Sequence, residues 1–263
     1  MKFEIAEESR PQLKLLILAT LLSVAIWFAS WYFPFASYLV YPLQLFATFV
    51  HEGSHVLAAL MTGGSVQSLT VSPDTSGAVW SVTNSWLSQM ITSSSGYLGT
   101  TFFGILLLVW FRYKFSARNA LYFTGGFVTV MTVVFGLLAP MWNFLSAKVT
   151  FASIAFTVIS GAALAGGLFA IAKYATEKWV NFSVAFLAVQ CLLNSVFSLK
   201  TLFVISATSD SHSDAVNMAN ATGVPAVAWV LIWIVLSIVM ISIGLRLYAV
   251  SGRSSQNDLP FED

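Results

Sequence analysis

Run after run of apolar residues, each near the length of a bilayer crossing, fills this chain from Leu13 to Val250. A helical span needs about 20 such residues. Leu13 to Phe33, Leu87 to Phe111, Val149 to Ile171, Trp179 to Ile205 and Val224 to Val250 all reach that length. Leu121 to Leu138, ended by Pro140, is a shorter candidate. Pro42 to Met61 is another, closed by Thr62-Gly63-Gly64. In lipid every backbone polar group must be satisfied within the protein, so such runs fold as helices. Only 9% of the residues are charged, against about 25% in a soluble domain. The expected fold is an α-helical polytopic membrane protein of about six to seven hydrophobic helices.

One segment breaks the pattern. From Ser65 to Val82, the apolar residues Val66, Leu69, Val71, Val79, Trp80 and Val82 flank Pro73-Asp74-Thr75-Ser76-Gly77. Two short strands joined by a turn fit this best. Such a hairpin has to pack against protein rather than lipid, and it presents an edge to which an extended peptide can add. Substrate-dependent protection of Val66 to Val71 from hydrogen exchange is the expected sign of that pairing.

The expected organisation is one integral-membrane domain over residues 13–250, with polar tails at 1–12 and 251–263. The first apolar run is followed by Tyr32-Phe33-Pro34-Phe35 rather than a small-residue cleavage site, so it reads as a retained span. The basic clusters at Arg10 and Lys14, at Arg112 to Arg118 and at Lys173 to Lys178, with Arg246 and Arg253, put both termini in the cytoplasm. Seven full crossings would put the termini on opposite sides, so a segment between Pro34 and Gly99 is expected to be re-entrant, or one basic cluster misleads. A net charge of +1 without a basic tract argues against nucleic-acid binding. The single cysteine, Cys191, excludes an intrachain disulfide scaffold.

Within the Pro42 to Met61 run stand His51-Glu52-Gly53-Ser54-His55. The chain has only 3 histidines and 11 acidic residues, so three costly groups are concentrated where lipid tolerates few. A helix puts residues i and i+4 on one face, so His51 and His55 can reach one Zn2+ ion. Glu52 between them can act as general base on a water that the ion activates. Two structural histidines, or a proton relay through Glu52, are the competing readings.

A catalytic zinc has three protein ligands and an open position. Asp214, Asp210, His212 and Asp74 are the candidates for the third. Asp74 fits a turn residue better, and Glu177, beside lysines, fits a surface one. Ser211 or Ser213 can cap a short helix through Ala215, Val216 and Ala219, which would hold Asp214 at the membrane boundary.

These runs resemble the site-2 protease superfamily of intramembrane zinc metalloproteases, and most closely its compact bacterial branch, the peptidase M50B-like proteins. The matching stretches are HEGSHVLAALMTGGSV (His51 to Val66), SPDTSGAVW (Ser72 to Trp80), SSSGYLG (Ser93 to Gly99) and HSDAVNMANATGVPAVAW (His212 to Trp229). The resemblance implies zinc ligation by His51, His55 and Asp214, with Glu52 as catalytic base. It implies hydrolysis of peptide bonds in membrane-associated substrates, in the inner (cytoplasmic) membrane of a bacterium. The chain departs from the superfamily's late Asn-x-x-Pro and Leu-Asp-Gly pattern: Asn194 lies in a span without the companion proline. Two other classes stay open, a membrane metal-binding or sensing protein and an ion-coupled transporter. The latter usually shows internal repeats, and no convincing repeat is present here.

Overall fold

The structure, a computed structural model, describes residues 10–249 apart from 114, 144–145, 147–148 and 209–212. The expected tail 251–263 and most of 1–12 lie outside the described residues. Helix α1 runs Arg10–Tyr32, beginning inside the stretch expected to be polar tail. Helix α2 follows over Pro34–Met61, then strands β1 (Ser65–Val71) and β2 (Gly77–Val82) and helix α3 (Trp86–Arg112). Next come α4 (Ala117–Val130), a π-helical stretch (Met131–Leu138) and α5 (Ala139–Trp142). Helices α6 (Phe151–Tyr174), α7 (Glu177–Thr208), α8 (Asp214–Thr222) and α9 (Ala226–Ala249) complete the chain.

Among the described residues, six helical segments are long and apolar enough to cross a membrane: α1, α3, the continuous Ala117–Trp142 segment, α6, α7 and α9. The chain is an integral membrane protein. Six crossings would return a chain to the side on which it started, as the basic clusters at both ends require. The odd segment is α2, whose polar site residues lower its hydropathy.

Helix α2 starts earlier than its sequence pattern predicts. Pro34 occupies its first turn, where the missing N–H costs nothing. Pro42 lies inside the helix rather than at its start. The Ala117–Trp142 segment holds a feature the sequence reading did not contain. A proline ring clashes with the carbonyl four residues back, which for Pro140 is that of Gly136. The preceding stretch is π-helical, with the Ala139 N–H bonded to Val134 O, five residues back.

Small residues and hydroxyls set the packing between α3, α7 and α9. The Thr101 and Ser195 hydroxyls meet at 2.6 Å, and Thr101 Oγ1 also donates to Ser237 Oγ at 3.3 Å. A Cβ at Gly104 would stand 2.9 Å from Leu192, and one at Gly244 equally close to Ile105. Without a hydrophobic drive between helices in lipid, such close approaches and buried hydroxyl bonds hold a bundle together.

The hairpin is present, antiparallel, with a bulge between Val66 and Ser68. Its two strands face different surroundings. On β1, the Val71 N–H donates to Thr157 Oγ1 of α6 at 2.8 Å, and Leu69 and Val71 are fully buried. Its tip is tied to α2: Tyr41 donates to Pro73 O at 2.9 Å and Thr48 to Thr75 O at 2.7 Å. Thr75 adopts a left-handed φ of 69° at the tip.

Candidate metal centre

Helix α2 brings His51 and His55 onto one face, with their Nε2 atoms 3.2 Å apart. From the other side, Asp214 Oδ2 lies 3.4 Å from His51 Nε2 and 3.3 Å from His55 Nε2. These residues form a group able to chelate a metal ion, each offering one ligand atom. The spacing has a direct chemical meaning. Ligand bonds of about 2.0–2.1 Å at tetrahedral angles put ligand atoms about 3.3 Å apart. Two imidazole nitrogens and one carboxylate oxygen, closed into a triangle of that size, fit a zinc ion with its fourth position open.

Surrounding groups prepare the triangle. His55 Nδ1–H donates to the Thr92 carbonyl at 2.6 Å, which leaves the Nε2 lone pair pointing at the other donors. Ser95 Oγ donates to the same carbonyl at 2.6 Å. Gly96 of α3 forms the floor. A Cβ there would lie 2.5 Å from His55 Nε2 and closer still to His51 Nε2, so only glycine leaves the space clear. Gly99 does the same against Ser54. The small residues in Ser93 to Gly99 therefore bring α3 down onto this part of α2.

Asp214 is positioned by a separate short helix. Ser213 caps α8, its Oγ accepting from the Val216 N–H at 3.3 Å, and Gly223 closes the helix at φ 74°. Ala215 and Met218 are buried, and Met218 Sδ accepts from Ser94 Oγ of α3 at 3.8 Å. Burial opposes the charge on Asp214, but His55 and His51 beside it hold the carboxyl well below the usual carboxylate range. The helix capped by Ser211 or Ser213 is thus present, with Ser213 as its cap.

Asp74 and Glu177 part company with the cluster. Asp74 sits at the hairpin tip, where Oδ1 accepts from Ser76 Oγ at 2.6 Å and from the Ser76 N–H at 3.0 Å. The Ser76 side chain, then its amide, lower the Asp74 carboxyl below its ordinary value, as for a turn residue. Glu177 opens α7, away from the cluster. Asp210 and His212 lie outside the described residues.

Glu52 is buried and lines the same cavity as the three donors. That cavity has a volume of about 610 Å³. Its walls come from β2 (Gly77 to Ser81), from Gln89 and Tyr97 of α3, from Asn194 and Ser198 of α7, and from Asn217 of α8. The strand facing the donors is therefore β2, whereas the sequence reading expected pairing at Val66 to Val71 of β1. The reason is burial: β1 is covered through Thr157. Tyr97, whose ring packs edge-on against His51 at 4.6 Å, was missed as a wall of the site. Its only sequence signal was its place in the small-residue run. The Thr92 carbonyl had none.

The Peptidase M50B-like family profile matches residues 15–244, nearly all of the described chain and every residue of the cluster. The chain belongs to the Peptidase M50B-like family. No curated protein and no solved structure matches it. Membership puts this chain in the site-2 protease-like branch of zinc metalloproteases, with a membrane-spanning architecture suited to membrane-embedded peptide substrates. In this M50B-like chain Asn194 departs from the pattern of the well-studied site-2 proteases. This residue lacks the superfamily's proline yet still lines the cavity beside the donors.

Proposed function

We propose that this protein is a zinc-dependent intramembrane endopeptidase of the bacterial cytoplasmic membrane, with His51, His55 and Asp214 as metal ligands and Glu52 as general base. One observation carries the reading: three ligand atoms 3.2–3.4 Å apart, with a buried carboxylate next to them in an accessible cavity. Bound Zn2+ supplies Lewis acidity, polarising the scissile carbonyl and acidifying the attacking water. Glu52 takes the proton from that water and returns it to the departing amine. His55, fixed by Thr92, keeps its donor atom directed at the site. Glu52 and His55 are themselves buried, which strengthens the electrostatic contacts they make.

A transmembrane substrate must unwind before cleavage, because helical hydrogen bonds shield its peptide bonds. Strand β2 lines the cavity and is the natural partner for the unwound segment, by strand addition. Exchange measurements with bound substrate would show protection at Ala78 to Ser81. Protection confined to other segments would remove this part of the reading.

The deciding experiment is Glu52→Gln, assayed for both zinc content and cleavage. An endopeptidase keeps about one zinc per chain and loses turnover by about 10²-fold or more. Unchanged turnover in a zinc-loaded variant would exclude Glu52 as the base.

A further inference from the structure

We propose that the substrate cleft has a second limb beyond the metal group, in which Lys200 selects an acidic side chain of the substrate. This rests on the peptidase reading above. A second cavity, of about 750 Å³, adjoins the first. The two share Thr48, Ser76 and Tyr97, with Asn194, Ser198, Leu202 and Ile205 of α7, so they are limbs of one cleft. His51, Glu52, His55 and Asp214 line only the first limb. An extended peptide held at the metal group continues in both directions from the scissile bond. One direction follows β2, and the other has this second limb to enter.

Helix α7 supplies the shared wall. Asn194, Ser198, Leu202 and Ile205 recur at helical spacing on one face, and Asn194 Nδ2 donates to Ser198 Oγ at 3.4 Å. The outer wall is aromatic. Trp27 stacks on Phe197 at 4.8 Å, and Trp31 beside them is 62% exposed. Trp27 is also held by its Nε1–H to Gln190 Oε1 at 3.4 Å, and buried Gln190 donates to Ser23 at 2.8 Å. The wall is therefore pinned to two helices and ready for a side chain.

Lys200 stands in this wall, exposed, eight residues before α7 ends at Thr208. Lys14, Arg112, Arg118, Lys173, Lys178 and Arg246 all lie near the helix ends that the positive-inside rule puts in the cytoplasm. Lys200 lies toward the opposite end of its helix, and it makes no ion pair with another described residue. A cation so far along a membrane helix is costly and usually has a partner. An exposed ammonium at the edge of this wall attracts a carboxylate by a modest amount, as a solvent-screened pair does. The cleft thus offers an aromatic surface with one positive charge, complementary to a substrate segment that carries an Asp or Glu beside apolar residues.

The test uses the zinc-loaded full chain in lipid nanodiscs and peptide hydroxamates, whose chelating group anchors them at the metal. Two series carry the hydroxamate at opposite ends of the peptide. Each places Glu, Gln or Lys at one of the next four positions. Affinity is read by displacement of a fluorescent hydroxamate. At one position in one series, Glu should bind about three- to tenfold tighter than Gln. Lys200→Met should abolish that preference, and Lys200→Glu should turn it toward Lys. No Glu preference anywhere, or one that persists in Lys200→Met, overturns the proposal. A Lys200 effect that follows the anionic lipid content of the nanodisc, without any Glu preference, also overturns it, since Lys200 would then serve the headgroups. If no hydroxamate binds a zinc-loaded chain, the peptidase reading itself fails.

Discussion

The backbone of Gly77 lies against the Glu52 side chain so closely that a Cβ at residue 77 would stand 2.6 Å from both Cγ and Oε1. The hairpin thereby fixes where the carboxylate sits, since Thr48 crowds the same point at 2.7 Å. Gly77→Ala should push the carboxylate aside and leave the metal donors alone. The expected result is full zinc content with kcat lowered about 10- to 100-fold, because a displacement of about 1 Å is enough for such losses. Steady-state kinetics with metal analysis on the same preparation checks it. Loss of zinc in step with activity would mean that the hairpin supports the ligands instead.

Asp214→Ala should empty the site, while Asp210→Ala and His212→Ala should not. Removing Asp214 leaves two imidazoles, and a catalytic zinc needs three protein ligands. Mass spectrometry of the purified variants should find about one zinc in the two controls and a marked deficit in Asp214→Ala. Full zinc in Asp214→Ala would assign the third ligand elsewhere.

How much of this was legible in the sequence differs by element, for physical reasons. His51, Glu52 and His55 are spaced by a local rule, the turn of a helix, so their shared face was readable. Asp214 is separated from them by eight structural elements. Only the resemblance raised it above Asp210 and His212, since nothing local distinguishes one loop carboxylate from another. The hairpin was readable because its alternation and turn residues are local. Which strand faces the site was not, because that depends on Thr157 reaching across from α6. Pro42 misled as a helix start, since tertiary packing tolerates a proline that isolated propensity rejects. Pro140 was readable as a helix end, but that the helix continues past it through a π-helical stretch was not.

Gly96→Ala isolates the space the metal needs. Alanine favours a helix over glycine by about 1 kcal/mol, so α3 itself gains locally. The new methyl, however, would overlap the space between His51 Nε2 and His55 Nε2. The expected outcome is a folded protein whose zinc affinity falls by about tenfold or more, a loss of the size seen when groups supporting a metal site are disturbed. Competition with a chromophoric chelator, beside a thermal melt of the metal-free protein, separates the two effects. Unchanged affinity would show that α3 can move back without cost.

Acid should strip the metal through the imidazoles rather than through Asp214. Burial opposes charge on Asp214, yet His55 and His51 hold its carboxyl well below the usual carboxylate range, so it stays ionised as pH falls. An imidazole must be neutral to donate, so protons compete with the metal for His51 and His55. The sign follows from linkage: metal binding releases protons, so affinity rises with pH until both histidines are already neutral and is lost below that point. The slope of log affinity against pH should approach about two in the acid range, one for each imidazole. Zinc affinity measured in detergent across a pH series gives that slope directly. A slope near three would mean that Asp214 also takes up a proton, against the hold that the two imidazoles exert on its carboxylate.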